Sequence, residues 1–159
     1  MPTATSPRKA TAVQSPIALD KVLTFMRLIW ALDHELERVS KQMETALGVT
    51  IPQRMCLLLI GANPGILASQ LADVLHLHRG TLSGILGRLQ GAGLITRTSD
   101  PNDARRAGVT LTDAGVRLRG RRTGTFEKAV RALLATTSGK DLAATARVLD
   151  GLRQELTLA

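Results

Sequence analysis

The chain has 159 residues, about one domain by size and enough to bury a core without disulfides or metal. Its 21 Lys+Arg against 13 Asp+Glu leave a formal charge of +8, which points to a polyanionic partner: nucleic acid or, less often, an anionic membrane surface. With no Tyr, one Trp and two Phe, the chain lacks the aromatic platforms on which single-stranded bases stack, so double-stranded DNA is the favoured polyanion.

The charge is concentrated. Between Arg79 and Arg122 stand nine arginines, no lysine and three aspartates. Cys56 is the only cysteine, which excludes an intramolecular disulfide and suits a reducing cytoplasm. Apolar runs such as "MCLLLIGA" fall far short of the roughly 18 residues that span a bilayer, and the first twenty residues lack a signal-peptide core. The expectation is a soluble cytoplasmic protein with no membrane partner.

In chain order, residues 1–14 are Thr/Ala/Pro/Ser-rich without periodicity and read as a mobile tail. Ser15-Pro16 then reads as an N-cap with proline at the first helical position. Apolar residues recur from Val22 through Phe25, Ile29, Leu32, Leu36 and Val39 to Met43, predicting one helix over residues 15–48. Leu23, Met26 and Trp30 widen its apolar stripe beyond what one domain covers, so pairing with a second copy is expected.

Thr50-x-x-Gln53 is a capping box that opens a short apolar helix, stopped by Asn63-Pro64-Gly65. Two further short helices follow, marked by Leu67, Leu71, Val74 and Leu75, then by Leu82, Ile85, Leu86 and Leu89, with His76-Leu77-His78 between them: a helix-turn-helix. "LITRT" and "AGVTLT" favour strands, with turn chemistry at Asp100-Pro101-Asn102-Asp103 and two arginines, Arg105 and Arg106, at the hairpin tip. A helix-turn-helix followed by a β-hairpin is a winged helix. Thr112 caps a helix expected over about Asp113 to Ala135, and Ser138-x-x-Asp141 caps a last one with a stripe of Leu142, Leu149, Leu152 and Leu156.

The order of these elements and two of their strings resemble the MarR family of bacterial transcription regulators. "DPNDARRAGVTLTDAG" is similar to the family's wing signature, giving Asp103-x-Arg105 and Leu111-Thr112-x-x-Gly115, and "QLADVLHLHRGTLSGILGRLQGAGLI" to its recognition segment. The resemblance covers about residues 20–156. It implies a mainly α fold with a small β-hairpin wing: an N-terminal dimerisation helix (15–48), a DNA-binding region (49–112) and C-terminal dimerisation helices (113–159). It further implies a homodimer on a pseudo-palindromic operator, repression released by a small aromatic or anionic effector, and insertion of Arg105 into the minor groove with Asp103 as its buttress.

Residue chemistry adds detail. A recognition helix presents its N-terminal residues to base edges, which selects Arg79, Thr81 and Ser83, with Arg79 able to pair bidentately with guanine. Arg88, further along the helix, fits a backbone clamp, an internal partner or a reader. Arg97 and Arg106 fit phosphate contacts or solvated strand charges that suppress edge pairing. Arg117, Arg119, Arg121 and Arg122, at the start of the expected fifth helix, oppose its dipole and so suggest another use. His76 stands where the turn often has glycine, and histidine tolerates positive φ. Gly80, Gly84, Gly87 and Gly91 thin the recognition helix.

For an effector pocket the candidates are Arg27, Trp30, His34 and Arg54, which combine apolar area with cationic donors near the junction of the first two helices. The alternatives are a redox-sensing regulator acting through Cys56, although a thiol in "RMCLLLI" is expected to be buried and inert, and a nonspecific architectural or RNA-binding protein. No phosphate loop, dinucleotide fingerprint, nucleophile elbow or zinc spacing is present, so neither catalytic residue, cofactor nor metal is expected.

Overall fold

The computed structural model describes residues 19–100 and 103–158, with backbone alone at 99, 100 and 103–107. The expected tail and the Ser15-Pro16 helix start lie outside the described residues. Seven helices and three short strands are described: α1 (Lys21–Leu47), α2 (Ile51–Ala62), β1 (Ile66–Leu67), α3 (Ala68–Leu75), α4 (Arg79–Gly91), β2 (Ile95–Asp100), β3 (Asp103–Leu111), α5 (Asp113–Gly120), α6 (Phe126–Leu134) and α7 (Gly139–Leu158). The chain divides into a unit ending at Glu35 and a larger one, Leu36–Ala159.

In the first unit, α1 starts at Lys21, as its apolar pattern from Val22 suggests and later than the start at residue 15 expected from Ser15-Pro16; Asp20 is the cap, its Oδ1 accepting the Leu23 N–H at 2.8 Å. Val22, Leu23, Met26, Leu28, Trp30 and Leu32 stand exposed along this stretch.

The second unit holds the core. Val49, Cys56, Leu57, Ile60, Leu71, Leu82, Ile85, Leu86, Leu89, Ile95 and Val109 form one buried cluster contributed by α2, α3, α4 and the sheet. Each such side chain contributes about 1.5–3 kcal/mol through the apolar area it removes from water. Val74, expected on the inward face of α3, is exposed. The start of α2 is held as its capping box predicts, with Gln53 Oε1 accepting the Thr50 N–H at 2.8 Å, and Ser40 Oγ accepting the Ile51 N–H at 3.0 Å.

The sheet is antiparallel in the order β1-β3-β2. Strand β1 was not foreseen: two residues give no period, and only the pairing of Ile66 with Val109 and Leu67 with Gly108 makes them a strand. Between β2 and β3 the ladder runs regularly from Ile95↔Leu111 to Thr98↔Gly108, then slips to Asp100↔Asp103, so one residue of β2 faces four of β3. Arg105 and Arg106 therefore lie in a bulged part of β3 and not at the hairpin tip.

The helix expected over 113–135 is two. Its first half is locked to the wing: Thr112 Oγ1 accepts the Gly115 N–H at 3.1 Å and donates to the Gly93 carbonyl at 2.6 Å. A β-carbon on Gly115 would collide with the Leu94 carbonyl oxygen, so glycine permits the contact. The helix then stops at Gly120, Arg121 is extended (φ −64°, ψ 128°), and Gly124 takes φ +72° before Thr125 starts α6. Arg117 and Arg119 thus occupy the last turn of a short helix, where cations are favoured by the dipole, the reverse of the expected cost.

What makes the break tolerable is Arg54 of α2, which is 2% exposed. Its Nη1 donates to the Leu118 carbonyl at 2.6 Å and its Nη2 to the carbonyls of Arg119 at 3.0 Å and Arg121 at 2.8 Å, satisfying carbonyls that a helix end leaves unpaired. Its Nε donates to Glu127 Oε1 at 2.9 Å, tying α6 to the same point. Burial pushes the Glu127 carboxyl up, but hydrogen bonds from Arg54 and its own backbone, with the charges of Arg54 and Arg131, outweigh burial and hold it below the ordinary carboxylate range. Arg54, expected at an effector pocket, has its hydrogen-bonding capacity engaged inside the fold.

Three outcomes are expected. Arg54→Met leaves a carboxylate and three carbonyls unpaired and should lower unfolding free energy by about 3–5 kcal/mol at neutral pH in urea denaturation. Because the folded Glu127 pKa is depressed, its carboxylate stabilises the fold above about pH 4.5, and that contribution disappears as pH falls through the lower folded value. The stability gap between the wild type and Glu127→Gln should accordingly be widest at neutral pH and narrow on acidification. Cys56 is fully buried and desolvation pushes its thiol up to about 11, so a disulfide reagent at pH 7 should label it only after denaturant is added. Rapid labelling of the native protein would restore the redox alternative.

Candidate nucleic-acid interface

The helix-turn-helix is set by local chemistry. Ala72 and Asp73 carbonyls close α3 on His76, which takes the left-handed conformation (φ 51°, ψ 39°) anticipated for it. His78 is extended and its carbonyl accepts the Leu82 N–H at 3.0 Å, starting α4 at Arg79. Leu82, Ile85, Leu86 and Leu89, spaced three and four apart, turn one face of α4 into the core.

The periodicity leaves the opposite face outward. Arg79, Thr81, Ser83 and Arg88 are exposed, and none makes a side-chain hydrogen bond or ion pair among the described residues. The helix carries no acidic residue, so its arginines have no partner of their own helix to neutralise them. Gly80, Gly84, Gly87 and Gly91 lie on the exposed side, and a β-carbon at any of them would meet nothing within 4 Å.

Arg97 projects from β2, paired in the ladder with Val109, and is exposed. It joins Arg79, Ser83 and Ser69 around a depression of about 240 Å³ floored by Leu82 and Leu86. Ser69, in the first turn of α3, was missed in the sequence; a hydroxyl in the opening turn of the first helix of a helix-turn-helix was the available signal. Arg88 lies at the far end of α4 and does not line this depression. Asp103, Arg105 and Arg106 are placed on β3 by backbone, and their side chains lie outside the described residues.

Of the effector candidates, Arg27, Trp30 and His34 are exposed on the part of α1 in the first unit, with Trp30 77% exposed, and Arg54 is buried in the second. Among the described residues no group of His, Cys, Asp and Glu is arranged to hold a metal ion, and no single helix is long and apolar enough to cross a membrane.

Comparisons with known proteins bear on this geometry. Residues 47–106, from the end of α1 into the wing, match the sequence profile of the MarR family. The chain is 31% identical over 120 residues to the HTH-type transcriptional regulator TtmR of Methylorubrum extorquens (strain PA1), covering 73% of this chain and 60% of that protein. It is 32% identical over 92 residues to the organic hydroperoxide resistance transcriptional regulator of Bacillus subtilis (strain 168), covering 58% of this chain and 63% of that one. The chain thus spans about three fifths of the length of these curated relatives. In fold it is similar to the S. aureus MepR protein of a MepR–DNA complex, with a TM-score of 0.69 at 23% identity over 83% of this chain and 97% of that one. With a helix-turn-helix, a wing and flanking helices in this order, the chain has the fold of winged-helix MarR regulators, and its residues 47–106 match the MarR family.

Proposed function

We propose that this protein is a homodimeric, sequence-specific regulator of transcription that binds double-stranded DNA in the cytoplasm, acting as a repressor released by a small effector. The observation that carries the reading is the outer face of α4: Arg79, Thr81, Ser83 and Arg88 exposed on a helix with no acid, beside Arg97 of β2. In a major groove the first of these meet base edges, and the depression between Arg79 and Arg97 accommodates a backbone phosphate. The bulged strand carrying Arg105 and Arg106 extends the wing toward the neighbouring minor groove, where narrow A·T-rich DNA concentrates negative potential. The resemblance assigns Arg105 to that groove with Asp103 as its orienting partner, and Arg106 to a phosphate.

The dimer reading rests on apolar area. Of the fifteen large hydrophobic residues exposed among those described, thirteen lie on α1, α6 and α7, the helices that flank the winged helix in sequence. A second copy would cover Met26, Trp30, Leu149 and Leu156 on such helices, and two-fold symmetry would set two recognition helices about one DNA turn apart, roughly 34–36 Å. On this reading an effector bound at Arg27, Trp30 and His34 of α1 releases DNA only if it prefers the conformer that misplaces α4 for DNA. No catalytic step or cofactor enters the reading.

Footprinting on the DNA flanking the protein's own gene, followed by competition binding, tests the proposal. A regulator prefers a pseudo-palindromic operator about a thousandfold or more over bulk DNA; an architectural protein shows salt-dependent affinity indifferent to sequence. Arg79→Ala should cost about 1–3 kcal/mol of operator affinity and relax specificity at one base pair. Arg105→Ala should weaken operator binding with the dimer intact by analytical ultracentrifugation, and unchanged affinity would remove the wing from the interface.

Gly84→Ala separates folding from recognition. The new methyl group meets nothing within 4 Å in the free protein and adds helix propensity, so thermal stability should rise by up to about 1 kcal/mol. Operator affinity should fall at the same time, because the bare backbone is where DNA approaches.

A further inference from the structure

A second group of cations follows the wing. Between Arg117 and Arg131 stand five arginines, one lysine and a single acid, Glu127, which is already paired with Arg54. All six cations are exposed, and none forms an ion pair or side-chain hydrogen bond among the described residues. Because α5 stops at Gly120, they do not radiate around one rod: Arg119, Arg121 and Arg122 share the lining of a cleft of about 570 Å³ with Lys128 and Arg131 of α6, and Arg117 adds charge on α5 outside it.

The periodicity of α2 gives the direction in which this group faces. Cys56, Leu57 and Ile60 lie on the side of α2 that shares the core with Leu82, Ile85, Leu86 and Leu89 of α4. Arg54, Leu58 and Gly61, spaced four and three residues apart, lie on another side: Arg54 binds the end of α5, Leu58 lines the cleft, and a β-carbon on Gly61 would strike the Arg119 side chain. At about 100° per residue, the two sides are turned roughly 120° from each other. The outer face of α4 points away from α2 altogether, and the depression beside Arg79 and Arg97 shares no residue with the cleft. A duplex seated on α4 is therefore held off from the cleft by the body of α4 and by the roughly 8–10 Å between packed helix axes, more than an arginine side chain spans.

We infer that the cationic surface around the α5–α6 break is a second binding surface for double-stranded DNA, engaging a duplex other than the one in contact with α4, so that one protein assembly holds two duplexes together. Five of its six cations are guanidinium groups, which take phosphate oxygens two at a time. Charge stands outside the cleft as well as around it, which suits an anion longer than the cleft. The lining holds no aromatic ring on which an unpaired base would stack, which selects a duplex over a single strand. Contacts of this kind go to the phosphate backbone, so the second duplex is held without regard to sequence and with a steep dependence on salt. That this surface is the second one rests on the reading of α4 as the first; its own affinity for duplex DNA does not.

A bridging assay on the full chain provides the test. A biotinylated fragment of the DNA flanking the protein's own gene is fixed on streptavidin, protein is added at low ionic strength, and retention of a free, fluorescent, random-sequence duplex is measured. The wild type should retain the free duplex saturably. The double variant Arg122→Ala, Lys128→Ala, both at exposed positions clear of the Arg54 contacts, should melt as the wild type does and bind the fixed fragment with unchanged affinity. Its affinity for the free duplex should fall at least about tenfold, with a salt slope shallower by about 2, since each lost phosphate contact removes about 0.9. Fluorescence anisotropy with the random duplex alone separates this inference from the reading of α4. Arg79→Ala, Arg97→Ala should lose preference for the flanking fragment yet still bind the random duplex, and adding Arg122→Ala and Lys128→Ala should abolish that residual binding. If Arg79→Ala, Arg97→Ala instead binds both DNAs as the wild type does while Arg122→Ala, Lys128→Ala still loses the free duplex, the reading of α4 fails and the α5–α6 surface stands. Three results would overturn the inference: equal retention by the wild type and Arg122→Ala, Lys128→Ala, which would leave bridging to two α4 faces; an equal loss by that variant on the fixed fragment, which would place its cations on the same duplex as α4; or competition by polyglutamate as effective as by duplex DNA, which would make the surface a site for acidic protein segments.

Discussion

The buried guanidinium of Arg54 is the interaction on which the geometry around α5 and α6 depends. One side chain from α2 accepts the burial penalty of a full charge and distributes its donors over three carbonyls at the end of α5 and one carboxylate at the start of α6. A lysine could not do this, since a single ammonium lacks the planar fork that reaches acceptors on two elements at once. The same contacts permit a helix to stop in the middle of the chain's most basic stretch, by satisfying carbonyls that would otherwise have continued the helix or remained orphaned.

From that break follows the distribution of charge. On one uninterrupted helix, the arginines at 117, 119, 121 and 122 would have radiated to different sides and opposed the dipole. Split at Gly120, two of them occupy a favourable C-terminal turn, while Arg119, Arg121 and Arg122 converge with Lys128 and Arg131 on one cleft. The cationic excess therefore has two concentrations within the larger unit, one on α4 and β2 and one between α5 and α6. Their surroundings differ: the first lies on an exposed helix face with no acid on α4, and the second lines a cleft.

The two are joined by a short chain of rigid contacts. Thr112 and Gly115 bind the start of α5 to the residues that leave α4 and enter β2, and β3 runs directly into that cap. Movement of α5 is therefore movement of the wing root. The exposed apolar residues of α1, α6 and α7 stand on the flanking helices, so whatever covers them also bears on the elements that carry the second cationic concentration.

On α4 and at several helix starts and turns, the sequence alone was sufficient, although on α3 it placed Val74 inward where the structure leaves it exposed. Leu82, Ile85, Leu86 and Leu89 determine which side of α4 is inward and therefore which residues face out; Thr50 with Gln53 and Ser138 with Asp141 mark helix starts; His76 takes the left-handed turn its side chain tolerates. These depend on groups within a few residues of one another, whose energies are the same in any tertiary context. The strand β1, the bulge that moves Arg105 and Arg106 off the hairpin tip, and the division of the expected 113–135 helix were decided elsewhere. Two residues become a strand only by pairing with β3 more than forty positions away. A helix containing Gly120, Thr123 and Gly124 is marginal by propensity, and its fate turned on a guanidinium more than sixty residues earlier in the chain. Hydrogen bonds between distant segments leave no period in the sequence, which is why the cleft they create could be seen only in three dimensions.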